Sequence, residues 1–198
     1  VSHLGIGQIA STALGILLSA VVGRALEPAQ LGILYTVFAI SSFSYVIVDW
    51  GQGTYLVREM ARGRTDEPEL IGSALLMRLA AVVLLSAVAV AIALPLGYSG
   101  QIVVLVLLSM MAAIPGTLFA PFACSFRSRD RMDADAFVNI VGKAMTLVAT
   151  AIVLRFGGGL TEVILMQAVG GVSMLLAGAI VALRLDIKVA APVMKLLR

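Results

Sequence analysis

Six stretches of nearly uninterrupted apolar sequence, separated by short gaps, leave this 198-residue chain few folds to choose from. The stretches run roughly over residues 4–23, 31–49, 70–95, 102–123, 136–154 and 161–183. About 20 residues at ~1.5 Å rise cover the hydrocarbon core of a bilayer, so each is long enough to cross it. Apolar residues make up 61% of the chain and the mean hydropathy is +1.06, whereas soluble domains are about 45–50% apolar. The runs are continuous rather than one-faced, which excludes helices lying flat on a membrane. They lack alternation and are too long for barrel strands. The fold expected is all-α: a polytopic transmembrane bundle of six helices.

The basic residues fall on alternate gaps. Arg58, Arg62 and Arg64, then Arg127, Arg129 and Arg131, then Arg184, Lys188, Lys195 and Arg198 share one side, ten in all; Arg24 and Arg155 are on the other. By the positive-inside rule both termini are cytoplasmic. The net charge of +3 follows membrane sidedness and does not form a nucleic-acid patch. The inner arginines read as anchors for anionic membrane lipids, with Glu59 spaced to pair locally with Arg62. Glu67, Glu69, Asp133 and Asp135 stand where the next helices start, matching the positive end of the helix dipole. Pro28, Gly97 and Gly157-Gly158-Gly159 mark tight outer turns.

Enzyme chemistry has few groups to work with. Cys124 is the only cysteine and His3 the only histidine, so no intrachain disulfide, His/Cys metal cluster or histidine triad can form. There is no phosphate-binding G-x-x-x-x-G-K-[ST] loop, and no cofactor is expected. The chain opens at Val1 in apolar sequence without a basic n-region, so no removable signal peptide is expected.

Small residues crowd the first span (Gly5, Gly7, Ala10, Ser11, Ala13, Gly15) and the last (Gly170, Gly171, Ser173, Ala177, Gly178). In lipid such residues let backbones approach, which predicts that both helices pack on more than one face. Pro115 and Pro121 lie inside the fourth span, where proline is tolerated.

The remaining two cations, Arg78 and Lys143, lie inside spans. A charge there costs ~2.5–3.5 kcal/mol on insertion scales and requires a partner or a wet cavity. Both sit at matching depth on helices that run outward, so together they form a candidate phosphate site: the Arg fork and the Lys point charge suit an anion. Snorkelling to the headgroups, and for Arg78 pairing with Asp49, are the alternatives. Gln8, Asn139 and Gln167 are candidate cavity-lining groups or interhelical hydrogen bonds. Asp49 is a candidate for ion coupling, or equally for capping the break at Gly51-Gln52-Gly53.

Two segments resemble a known family. Gly23-Arg24-Ala25-Leu26-Glu27-Pro28-Ala29-Gln30-Leu31-Gly32-Ile33-Leu34-Tyr35 is similar to the R-x-L-G-P-x-x-[YF]-G-x-[YL] segment joining the first two helices of polysaccharide flippases. Val48-Asp49-Trp50-Gly51-Gln52-Gly53-Thr54-Tyr55-Leu56-Val57-Arg58-Glu59 is similar to their D-x-G-[LF]-x-x-x-[LV]-x-R-E segment at the inner end of helix two. The chain thus resembles the polysaccharide biosynthesis and O-antigen flippase branch of the multidrug/oligosaccharidyl-lipid/polysaccharide exporter superfamily. That resemblance implies a multi-pass protein of the bacterial cytoplasmic (inner) membrane exporting a polyprenyl-diphosphate-linked glycan for lipopolysaccharide or other surface polysaccharide. Such exporters have two lobes of six or seven helices, and this chain resembles the N-terminal lobe: residues 1–184 form the lobe and 185–198 a cytoplasmic tail or linker. A missing C-terminal lobe or a second copy is then the partner. The other readings are a multidrug-type cation antiporter of the same superfamily and a non-transporting membrane scaffold subunit.

Overall fold

The computed structural model describes residues 2–63, 67–93, 95 and 97–190, and side chains among them from Gly7 onward except that of Ile92. Arg64, Lys195, Arg198 and the tail from 191 therefore lie outside the described residues, as do the side chain of His3 and the surroundings of Gly5. The elements are α1 (Ser2–Ala25), α2 (Pro28–Asp49), α3 (Gln52–Ala61), α4 (Glu67–Ala93), α5 (Gly100–Ser128), α6 (Met132–Arg155) and α7 (Leu160–Arg184). Six of the helices are long and apolar enough to cross a membrane. The bundle of six spans is as expected, and no strand occurs among the described residues.

Local chemistry sets the helix ends. Pro28 opens α2, where its missing N–H would have had no helical partner. The Ser99 side chain accepts from the Ile102 N–H at the start of α5, and Glu162 reaches back to accept from the Gly159 N–H at 2.8 Å before α7. After Asp49 the chain turns left-handed twice, at Trp50 (φ 33°) and Gly51 (φ 75°). Two such residues in succession end α2 and restart the chain as the short α3. The sequence signals the break; the separate ten-residue helix beyond it is a finding of the structure.

α5 is the centre post. It packs against α7, α4, α3 and α2, while α7 also packs against α6, and α6 against α1. The α6–α7 crossing is closest at Gly142 and Gly170. A Cβ on Gly170 would stand 1.7 Å from the Thr146 hydroxyl oxygen and 2.7 Å from the Gly142 carbonyl oxygen. Two turns further on, α7 sets Gly178 against the Phe119 ring of α5, with 2.4 Å left for a Cβ. The expectation of packing on several faces therefore holds for α7. α1 joins α2, α5 and α7 through Val22 in a shared apolar cluster and packs mainly on α6. There Gly7 meets Ala136, but Gly15 faces open space.

Three apolar clusters fill the bundle, the smallest formed by Leu56, Leu70, Ala74 and Cys124. Of the larger two, one joins Val22, Leu34, Val37, Met110 and Ile164. The other, towards the opposite end, joins Ile71, Phe119, Phe126, Val138 and Ile187. Beside the second, Arg127, Arg129 and Arg131 also bond within the protein while their side chains stay partly exposed. Arg127 Nε donates to Asp135 at 2.7 Å, Arg129 Nη2 to Glu67 at 2.6 Å, and Arg131 Nε to Asp133 at 3.2 Å. Arg129 Nη1 also donates to the Leu185 carbonyl at 2.8 Å. Arg62 and Glu59 pair at 2.9 Å, as their spacing predicts.

Candidate functional site

Arg78 and Lys143 each stand eleven residues past the first residue of their helices, Glu67 and Met132. At 1.5 Å per residue both are about 16 Å along the axis. Their surroundings differ. Arg78 is 4% exposed, and its Nη2 donates to Asp49 Oδ1 across the α2–α4 contact. Of the alternatives open to it, pairing with Asp49 is the one the fold contains. The Arg78 Nε has no partner. Asp49, the last residue of α2, keeps a side chain 52% exposed. It borders a cavity of about 430 Å³ together with Trp50, Gln52, Tyr55, Ser73 and Met77. Gln52 donates to the Met77 sulfur at 3.7 Å, while its buried Oε1 has no partner.

Lys143 lies exposed on α6. Its Nζ donates to the Ser11 carbonyl of α1 at 3.2 Å, and no carboxylate pairs with it among the described residues. It belongs to a polar stripe. Asp135, Asn139, Lys143, Thr146 and Thr150 follow each other at steps of three and four and so fall within about 80° of one helix face. Asn139 Nδ2 donates to the Asp135 carbonyl and carboxylate at 2.8 and 2.9 Å, an intrahelical bond rather than an interhelical one. On the neighbouring helix α1, Gln8 and Thr12 are exposed and Ser11 is buried. Gln167 of α7 lines a further cavity of about 80 Å³ with Ser19, Tyr35, Thr146 and Thr150, where α1, α2, α6 and α7 meet.

The structure thus joins Arg78 to Asp49, and sets Lys143 on one stripe with Asn139 and across from the helix of Gln8. It does not join the two cations. α4 packs on α5, α2 and α3, and α6 on α7, α1 and α5, so the helices of Arg78 and Lys143 share no packed interface. Thr146 and Thr150 are not among the residues that the sequence singles out; their register with Asn139 and Lys143 on α6 is the signal that finds them, whereas Tyr35, on α2, carries no such signal. Among the described residues no three His, Cys, Asp or Glu side chains gather to hold a metal.

The model of the family described as "Polysaccharide biosynthesis protein" matches residues 1–196. No curated protein and no solved structure matches the chain.

Proposed function

The chain belongs to the polysaccharide biosynthesis protein family, and from that premise we propose that this multi-pass membrane protein is one lobe of a flippase. Its cargo in this reading is a polyprenyl-diphosphate-linked oligosaccharide, moved to the outer leaflet of a bacterial inner membrane for O-antigen or related surface polysaccharide. Both termini face the cytoplasm, in line with ten basic residues on one set of gaps and two on the other. The second lobe, or a second copy, faces the polar side of α1 at Gln8 and Thr12.

The observation that carries the reading is Lys143. A cation within a span needs compensation, and here the compensation is one backbone carbonyl. A diphosphate brings the missing negative charge and accepts charge-assisted hydrogen bonds. Arg78 stands apart from this contact, neutralised by Asp49 on a helix that shares no packed interface with α6. A cation antiporter would be served by an unpaired carboxylate; Asp49 and Asp135 are both engaged by arginines. The movement needs no covalent chemistry: two lobes rock about a shared midplane site.

The test is export of lipid-linked glycan by cells whose own copy of the gene carries the substitution, at matched membrane levels. Lys143→Ala should cut export by tenfold or more, in keeping with the loss of a charge-assisted contact of about 1.5–3 kcal/mol. Lys143→Arg should retain most of it. Export at the parental rate by Lys143→Ala would overturn the reading.

A further inference from the structure

The cavity beyond Lys143 carries hydrogen-bonding groups without charge. Thr146 and Thr150 stand three and seven residues past Lys143 on the same face of α6, or about 4.5 and 10.5 Å along its axis. Across from them are Gln167 of α7, Ser19 of α1 and Tyr35 of α2. No Asp, Glu, Lys or Arg lines this space.

Two of these groups are not used by the fold. Thr150 is 1% exposed, and its hydroxyl has no hydrogen-bond partner. A threonine in a helix ordinarily satisfies that hydroxyl on the carbonyl one turn back, as Thr146 does on Gly142 at 3.0 Å. The Gln167 amide likewise makes no hydrogen bond among the described residues, although an interhelical bond was one of its expected roles. A buried hydroxyl left without a partner is costly, and Thr150 is one of the residues lining a space of about 80 Å³. That is room for several heavy atoms by the measure in which a water needs about 10–15 Å³. It is small for a whole pyranose ring and suits one of the ring's polar substituents.

We infer that this cavity is a sugar subsite, in which Thr150 and Gln167 hydrogen-bond a hydroxymethyl, hydroxyl or acetamido group of the first sugar on the lipid diphosphate. The inference rests on the reading of Lys143 as the phosphate contact. A neutral polyol matches a site of neutral donors and acceptors: the threonine hydroxyl both gives and takes a hydrogen bond, and the amide offers one of each kind. The sugar next to the phosphate is the part of the cargo that would reach the cavity while the diphosphate lies at Lys143. Thr150 and Gln167 are therefore specificity-determining positions, and the export rate of different glycans should depend on them.

The experiment measures binding to the purified protein in lipid nanodiscs by titration calorimetry. The probes are farnesyl diphosphate and its conjugates with glucose, galactose, N-acetylglucosamine and N-acetylgalactosamine. At least one conjugate should bind the parent more tightly than bare farnesyl diphosphate. Thr150→Val and Gln167→Leu should each lower that preference about three- to tenfold, the range of a lost neutral hydrogen bond, while binding of the bare diphosphate stays unchanged. Lys143→Ala should weaken bare and conjugated probes alike. Thr150→Val should also melt no lower than the parent, because it removes a hydroxyl that the fold leaves unbonded; a lower melting temperature would assign the hydroxyl to the fold and overturn the subsite. A preference unchanged in Thr150→Val and Gln167→Leu, or no conjugate bound more tightly than the bare diphosphate, would overturn the subsite and leave the phosphate reading standing. Bare diphosphate bound by Lys143→Ala as tightly as by the parent would instead bring down the phosphate reading, and this inference with it.

Discussion

Asp49→Asn should damage this protein more than Arg78→Met, although the two residues form one ion pair. The asymmetry follows from their burial: the Arg78 side chain is 4% exposed and that of Asp49 is 52% exposed. Removing the carboxylate strands a guanidinium inside the bundle, and an uncompensated buried charge costs about 3–5 kcal/mol. Removing the guanidinium leaves a carboxylate that water or headgroups can reach, and methionine fills much of the vacated apolar volume, so about 1 kcal/mol is expected, the scale of an exposed pair. The double variant Asp49→Asn/Arg78→Met should recover most of the loss, since no charge is left behind. For a chain of this size about 2–4 °C of melting temperature accompanies each kcal/mol. Asp49→Asn should thus melt about 6–20 °C below the parent, Arg78→Met about 2–4 °C below, and the double variant close to Arg78→Met. Helical circular dichroism in detergent during heating gives all three values. An Arg78→Met protein less stable than Asp49→Asn, or a double variant no better than Asp49→Asn, would refute the placement of the charge burden on Arg78.

Gly170→Ala should destabilise by about 1–3 kcal/mol, the range for overpacking, because the Gly142 carbonyl at 2.7 Å is backbone and cannot rotate away; Gly15→Ala, with nothing within 4 Å, should melt no lower than the parent. Arg129→Ala should lower the melting temperature by a few degrees through loss of both the Glu67 and Leu185 contacts, and Arg129→Lys should restore only part because it lacks the second arm of the fork. In a Cys124→Ala background, single cysteines at Ser99 and Gly158 should react with an impermeant maleimide from outside intact cells, and one at Ser128 only after permeabilisation; the reverse pattern would invert the topology.

The spans were legible because length and hydropathy determine them: α2 and α7 end within one residue of where the apolar runs predict, at Asp49 and Arg184. The matching depth of Arg78 and Lys143 was legible for the same reason. Which helix each faces was not. In a lipid-embedded bundle the buried and lipid-facing sides are both apolar, so no stripe announces the partner. Nothing along the sequence shows α5 and α7 set between the helices of the two cations, and a single shared site was the natural expectation. The Asp49–Arg78 pair was visible only as one alternative among three, and the Arg129–Glu67 pair joins residues 62 positions apart. The Thr150 hydroxyl drew no notice because threonine in a helix is unremarkable until its usual bond is found missing.

The arginine pairs at one end of the bundle have a mechanical meaning. There Arg129 ties the start of α4 to the chain leaving α7, Arg127 ties α5 to α6, and the Ala190 N–H closes on the Pro68 carbonyl at 3.1 Å. The opposite end is joined by the turns at Gly97 and Gly157–Gly159, where the described side-chain bonds are local caps. A sheaf bound at one end splays at the other. Helix tips near Gly158 should therefore swing through wider arcs than those near Ser128, and spin labels on the two ends would record the bundle as a set of levers with a common fulcrum beneath Phe126.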